Sequence, residues 1–550
     1  MASSAAAPAA REESNDGRAR GDSAATSPAG IPSPSNTPRP PNDTDIERAA
    51  DRKNDTPVTW LSLPNKGQLA VILLARLSEP ISERSLTAYV FYQLRWFDPA
   101  LPAADIAYQM GILTSVFAAA QCVTGVMWGR VADAVWAGRK GALLIGLGGS
   151  CIAAVGVGFS RSFAAMLFFR AVCGTLNGNV GVMRAMISET TTEKKYQSRS
   201  FLLLPMMFNI GVIIGPMVGG FLAPATKTLD DGSTVVLPSK SGWWDKYPYA
   251  PPNLANAFFL LSAVVAVFLG LDETHPSLRS RTDYGRKCGS LISRWTSSIW
   301  KSPQHRYAAL PTEERIELRD EPAAPTPAPR LSEKPTRPPF RSLLTRNIIL
   351  VLTQHFLQAL HVSTYNTLLY LLLSTPRTPT PLTGGLGLTA HAIGLATATL
   401  GLIGLPTQLL LYPRLSTRLP PLALYRLFLP LSAAAYLLLP LLPLAAGAPL
   451  WPALVVVLAA QVLSRAFVNP ATVILVNNCA PHPAALATLH GLAQSVAAAA
   501  RTAGPVVGSA MFAWGLERGG GGAGVAVPFW GIAGLAAVNW GILWWVREEV

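Results

Sequence analysis

"LLARLSEPISERSLTAYVFY", residues 73–92, decides how the whole chain is read. Apolar residues lead into it from Leu69 and out of it through Tyr89–Tyr92, yet Arg76, Glu79, Pro80, Glu83 and Arg84 stand in its middle. It is either a surface loop between two buried segments or a membrane helix with charge in its interior. In a helix that starts near Leu69, Arg76 lies about 10 Å in and Glu79 about 15 Å in, close to the middle of a ~30 Å hydrocarbon core. One turn apart, the two share a helix face and partly neutralise each other.

The rest of the chain settles the choice. Of 550 residues, 50% are hydrophobic and 14% charged, against roughly 25% charged in an ordinary soluble domain. That is too little charge to coat a soluble protein of this length. Apolar blocks long enough to cross a bilayer as helices fall near 69–92, 106–128, 141–160, 163–186, 200–223 and 254–271. A second set follows near 347–373, 391–412, 421–443, 450–477, 484–512 and 527–546. The expected fold is an all-α membrane protein with twelve transmembrane helices in two pseudo-symmetric six-helix halves, residues 66–272 and 347–550. Reading 73–92 as a loop would leave the first half with five helices and reverse its orientation.

The net charge of +14 is placed unevenly. Fourteen Lys or Arg lie in 272–346, and more in "GRVADAVWAGRK" (129–140) and "TTEKKYQSR" (191–199). Connections on the opposite side are poorer, with Arg161 alone near 160–163, Arg377 alone in 374–390 and none in 444–449. This bias places both termini and the central loop in the cytoplasm. It fits a plasma or a vacuolar membrane equally, and it argues against nucleic acid as a partner. Residues 1–65, rich in Ala, Ser, Pro and charge, hold no signal-peptide block and read as a disordered tail. The sequons at Asn42 and Asn54 would then stay unglycosylated. The central loop, 273–346, is expected to be largely disordered, its Pro-rich 311–340 a connector. Five cysteines without CxxC spacing support neither a disulfide framework nor a metal site.

The halves repeat one another. "NIGVIIGPMVGG" (209–220) has a counterpart in "AARTAGPVVGS" (499–509), with Gly504-Pro505 lying 289 residues after Gly215-Pro216. The same offset lays Ser188-Glu189 on Asn477-Asn478. Repeated six-helix halves are the architecture of one class of secondary transporter, with the substrate site between the halves near the midplane.

Several motifs carry a family resemblance. The loop 129–140 holds Gly129, Asp133, Gly138, Arg139 and Lys140; the fifth span reads Gly211-x-x-x-Gly215-Pro216-x-x-Gly219-Gly220; Arg76-x-x-Glu79-Pro80 stands in the first span and Arg170-x-x-x-Gly174 in the fourth. The eleventh span is preceded by Asn477-Asn478 and carries Gln494, Arg501, Gly504 and Pro505. Together these resemble the major facilitator superfamily, in particular its twelve-helix drug:proton antiporter branch and the fungal and plant group with the zinc-induced facilitator-like transporters. The resemblance implies gating by the 129–140 loop, which has extra residues between Asp133 and Gly138. It implies an antiporter-type packing motif in the fifth span and proton coupling near Arg170. Asn478, Gln494 and Arg501 are candidate state-dependent hydrogen-bonding groups, with helix capping as the structural alternative for the asparagine.

In the seventh span Gln354, Gln358, His361 and Tyr365 share one face, and a polar stripe in an apolar span is expected to face a water-filled cavity. His355 and His361 do not share a face, so no metal site is expected. No GxxxxGK[ST] stretch appears, which leaves ATP unsupported as a driver. The expected function is export of small organic or metal-chelating compounds by a monomer in the lipid bilayer. The proton gradient drives it, no cofactor is involved, and Glu79 is the first choice for the proton-carrying group. A nutrient facilitator or importer, such as one for sugars, and a transporter-like receptor are the alternatives; no enzyme is expected.

Overall fold

The structure is a computed structural model. It describes residues 63–547 except 192–193, 229–233, 237–241, 276, 280–282, 300–344, 381, 446, 448, 480–485 and 519–523. The tail with Asn42 and Asn54 and the 311–340 connector lie outside the described residues.

The charged stretch is helical. Helix α1 runs Lys66–Thr87 with Pro80 inside it, and a short α2, Val90–Phe97, continues it. Three spans follow: α3 (Ala103–Asp133), α4 (Gly138–Phe159), and a fourth split into α5 (Phe163–Leu176) and α6 (Asn179–Thr190). Helix α7 (Lys194–Leu222) leads through strands β1 (Thr226–Thr228) and β2 (Thr234–Val236), an antiparallel pair, and α8 (Gly242–Lys246) to α9 (Ala250–Gly270). The second half comprises α11 (Arg346–Ser374), α12 (Ala390–Pro406) continued by a π-turn and α13 (Tyr412–Ser416), α14 (Pro421–Leu438), α15 (Leu450–Asn478), α16 (Leu486–Glu517) and α17 (Ala526–Ile542). Seven of the described spans are long and apolar enough by length and composition to cross a membrane. The other five are the short α17 and the spans carrying charge, a break or polar residues: α1, α5–α6, α11 and α16.

Two local features refine the sequence reading. The fourth span is not continuous, because Asn177-Gly178 interrupts it. Within the central loop, Tyr284–Ile299 forms helix α10.

The bundle has two unlike ends. We call the end where α1 starts and α3 meets α4 the near end, and the opposite one the far end. At the far end a single apolar cluster joins residues of both halves, among them Phe91, Leu94 and Met110 from the first and Leu369, Leu372 and Ile393 from the second. At the near end each half keeps its own cluster, around Leu143 and Met186 in the first and around Tyr425 and Phe467 in the second. The halves therefore meet at the far end and part at the near end.

Glycines set the closest helix approaches. A Cβ on Gly211 would stand 2.9 Å from Pro80 Cβ, one on Gly215 2.7 Å from the Ile81 carbonyl, and one on Gly219 2.8 Å from Ser85 Oγ. Three glycines of α7 thus seat α1 at its charged stretch. Gly220 faces the other way: its Cβ would lie 3.0 Å from the Cα of Gly394, across the boundary between halves. In the second half Gly504 of α16 seats α11, a Cβ there standing 2.6 Å from the hydroxyls of Ser363 and Thr364. The sequence repeat is thus a repeat of packing.

Candidate functional site

A cavity of about 650 Å³ lies between the halves and reaches from mid-bundle toward the near end. That volume suits a drug-sized molecule. Its first-half wall comes from α1, α3 and the break between α5 and α6, and its second-half wall from α11 and α16.

The charged stretch forms one wall. Arg76 Nη1 stands 3.2 Å from Glu79 Oε2. Asn179 Nδ2, at the start of α6, donates to Glu79 Oε1 at 2.5 Å. Asn179 can reach α1 because the span is broken just before it and because Gly146 of α4 leaves room: a Cβ there would collide with the asparagine amide, 2.9 Å from its Nδ2. The carboxyl of Glu79, 6% exposed, is thus held from two elements. Glu83 and Arg84 stand 3.8 Å apart and line the same wall.

Arg170 also faces the cavity, its guanidinium 4.5 Å above the ring of Phe117. It is 8% exposed, and its Nε finds no hydrogen-bond partner among the described residues. From the second half Gln494, Arg501 and Pro505 line the cavity, and Gln494 and Arg501 are exposed into it. Gly504 packs on α11, as described, and Asn478 is exposed at the end of α15, away from the cavity lining.

The seventh-span stripe is a correction. Gln354, Gln358, His361 and Tyr365 do not line the cavity. They point into the second half, where other helices supply partners. Gln354 Nε2 donates to the Tyr425 hydroxyl, which in turn donates to Gln358 Oε1 at 3.0 Å. Asn539 Nδ2 donates to the same Gln358 oxygen at 3.3 Å. The His361 ring lies 3.0 Å from the Tyr436 hydroxyl on one side and from Gln358 on the other. Tyr365 packs its ring 5.1 Å from that of Tyr436. Tyrosine hydroxyls and amides do here what water was expected to do. The α11 face that meets the cavity carries Ser363, Asn366, Thr367 and Tyr370.

Three participants escaped the sequence reading. Asn179 was signalled by "LNGN", since Asn-Gly is a turn marker even inside an apolar run. Arg184 is exposed into the cavity from α6. Arg465 stands inside span ten and donates from Nη1 to Asn366 Oδ1 at 3.1 Å; its charge in an apolar segment was signal enough.

At the near end the 129–140 loop is clasped. Arg139 stands 2.5 Å from Asp133 and 3.1 Å from Glu189. Glu273, just after α9, accepts the backbone N–H of Arg139 at 3.1 Å and of Lys140 at 3.0 Å, which caps α4. Gly138 adopts φ +68°, and a Cβ there would lie 2.9 Å from Glu273 Cδ, so both conformation and space ask for glycine. Lys140 Nζ meets Asp283 Oδ2 at 2.6 Å and ties down the start of α10. Burial works to raise the Asp283 carboxyl, but the Lys140 ammonium and the Arg286 N–H outweigh it and hold the group below its ordinary value. Gly129 stands apart, exposed with open space around it. Every described partner in this clasp belongs to the first half or to the connection after it.

Two six-helix halves around a central polar cavity define a secondary transporter. The family model of the Major Facilitator Superfamily matches residues 85–377. The chain belongs to that superfamily. It is 29% identical to the major facilitator superfamily multidrug transporter mfsB of Aspergillus fumigatus, over 89% of this chain and 85% of that one. It is 25% identical to the protein ZINC INDUCED FACILITATOR 1 of Arabidopsis thaliana, over 82% and 85% of the two chains. The crystal structure of the human organic anion transporter MFSD10 superposes with a TM-score of 0.54 at 20% identity, covering 87% of this chain and 99% of that one. At that identity the likeness speaks to the fold alone.

Proposed function

We propose that the chain is a proton-coupled exporter of small organic or metal-chelating compounds, working by alternating access within the drug:proton antiporter branch, near the zinc-induced facilitator-like group. The observation that carries the reading is Glu79, a carboxyl in the cavity wall gripped by Arg76 of its own helix and by Asn179 of α6. Protonation removes the charge that holds both. Proton occupancy then biases one access state over the other by the difference in these contacts. Gly211, Gly215 and Gly219 couple α1 to α7, so a change at Glu79 is felt by a helix that also touches the second half through Gly220. The multidrug transporter among the relatives supports efflux.

The near end is the cytoplasmic one in this reading, because the Lys- and Arg-rich connections lie there. The protein then faces the cytosol with its cavity, in a plasma or vacuolar membrane, and the clasp around Arg139 is the near-end gate. The cavity is complete within one chain, so a monomer suffices.

The test is exchange in liposomes holding the full chain, under an imposed pH gradient, with a substrate found by screening overexpressing cells. Accumulation should follow the gradient and be lost in Glu79→Gln. Uptake indifferent to the gradient excludes antiport, and gradient-driven exchange at the wild-type rate in E79Q removes the coupling role of Glu79.

A further inference from the structure

The cavity is lined by five arginines (Arg76, Arg84, Arg170, Arg184 and Arg501) against two carboxylates, Glu79 and Glu83. The carboxylates are spoken for: Glu79 pairs with Arg76, and Glu83 lies 3.8 Å from Arg84. Among the described residues, Arg170, Arg184 and Arg501 have no carboxylate within 4.0 Å. Arg465 stands behind the wall, bonded to the cavity residue Asn366, and adds positive charge without a carboxylate of its own. Unbalanced cations deep in a membrane bundle are costly unless water or a ligand completes them. The packing does not ask for them either, since Arg184 and Arg501 are exposed into the cavity rather than buried against neighbours.

We infer that the substrate class is an amphipathic organic anion, a molecule with one or more acidic groups on an aromatic or otherwise apolar body; this rests on the transport reading above. The apolar body has Met110, Leu113, Phe117 and Phe208 to lie against. The acidic group has arginines from both halves, Arg170 and Arg184 on one side and Arg501 on the other. A guanidinium offers a fork of donors that fits carboxylate, sulfonate or phosphate. An organic cation finds little here. Of the three aromatic rings in the lining, two are capped already by an arginine, Phe117 by Arg170 at 4.5 Å and Phe208 by Arg76 at 5.0 Å, which leaves Tyr370. The arrangement also links binding to movement. When the near end closes, the arginines of the two halves approach and repel. An anion between them turns that repulsion into a bridge, so a loaded cavity closes more readily than an empty one.

The experiment compares two dyes on one scaffold, fluorescein (anionic at neutral pH) and rhodamine 123 (cationic). Both are titrated against the full-length protein in detergent and offered to liposomes containing it. Fluorescein should bind at least tenfold tighter than rhodamine 123. Arg501→Gln should weaken fluorescein binding about tenfold, and Arg501→Lys, which keeps the charge, should restore most of it. A thermal melt of each variant shows that it is folded. Absence of fluorescein binding, equal or better binding of rhodamine 123, or an unchanged fluorescein affinity in a folded R501Q overturns the inference. The transport reading fails separately: if fluorescein binds through Arg501 but no pH gradient moves it across the membrane, export is wrong and the anion site stands.

Discussion

Replacing Gly394 with alanine should shift the protein away from the near-open state without unfolding it. Gly394 of α12 faces α7 across the boundary between halves, at the far end where they meet. A Cβ there would stand 2.9 Å from the Pro216 carbonyl oxygen and 3.4 Å from the Cα of Gly220. Both neighbours are backbone, so neither can swing aside. Reaching an ordinary contact of ~3.5 Å requires the helices to part by about 0.6 Å. Overpacking of this kind costs about 1–3 kcal/mol. The alanine also favours helix by up to ~1 kcal/mol over glycine, but that gain is the same in every access state and cancels. Under the proposed alternating access the clash does not cancel, because the far-end seam between α7 and α12 loosens as the near end closes. The equilibrium between states should therefore move by roughly 5- to 150-fold. Gly220→Ala, meeting the Cα of Gly394 at 3.0 Å, should act in the same direction. Gly215→Ala is the control, since its Cβ would lie 2.7 Å from the Ile81 carbonyl within the first half and strain both states alike. The reporter is native Cys122, exposed in the cavity wall. In a Cys288→Ser background, a membrane-impermeant maleimide added at the near end should label Cys122 more slowly in G394A and G220A. In G215A the labelling rate should hold while the melting temperature falls. Wild-type labelling in both boundary variants, or equal slowing in all three, refutes the reasoning.

Other consequences are simpler to check. Gly138→Ala forces a side chain into a left-handed backbone at φ +68° and against Glu273, and should destabilise the folded protein by about 1–3 kcal/mol in a thermal melt. Tyr425→Phe removes the hydroxyl that joins Gln354 to Gln358, leaves the buried Gln354 amide without its partner, and should cost about 1–3 kcal/mol of stability while leaving the pH dependence of transport unchanged. The docking of α10 through Asp283 should be insensitive to neutral and mildly acidic pH. Its carboxyl is held below the ordinary value, so the contribution is complete above the unfolded value of ~3.9 and is lost only as pH falls through the lower, folded one. Hydrogen exchange across Tyr284–Ile299 should accordingly stay slow down to about pH 4, and Asp283→Asn should quicken it throughout that range.

The sequence carried much of the fold and only part of the site, and particular residues show why. The Arg76–Glu79 pair was legible because both partners lie on one helix turn and a charge inside a span demands an answer. Asn179 completes that answer from 100 residues away, and only its turn-forming neighbours Asn177-Gly178 hinted that the fourth span breaks to present it. Helix α11 offered two polar stripes, Gln354–Gln358–His361–Tyr365 and Ser363–Asn366–Thr367–Tyr370, and periodicity gives no reason to prefer one. The first is buried because Tyr425, Tyr436 and Asn539, far along the chain, point hydroxyls and an amide at it. A polar stripe in a membrane helix therefore signals a wet face only when the other spans lack enough polar groups to meet it.

The internal repeat holds a related lesson. Gly215 seats α1 as Gly504 seats α11, so the two halves share this packing. The chemistry on those seats is not shared. On α1 the seated helix carries two arginine–glutamate pairs, whereas on α11 it carries hydroxyls and an amide, and Arg501 on α16 is the second half's charged contribution to the wall. If proton coupling used the symmetric frame, removing a charge from either wall should disturb it equally. In the proposed reading the proton-sensitive contacts lie in the first half alone, whereas the substrate's acidic group meets arginines of both halves. E79Q should then alter the response to a pH gradient with little change in fluorescein affinity, and R501Q the reverse. Parallel titrations of the two variants measure both quantities at once, and a shift of both by one variant would show that the two tasks are not divided.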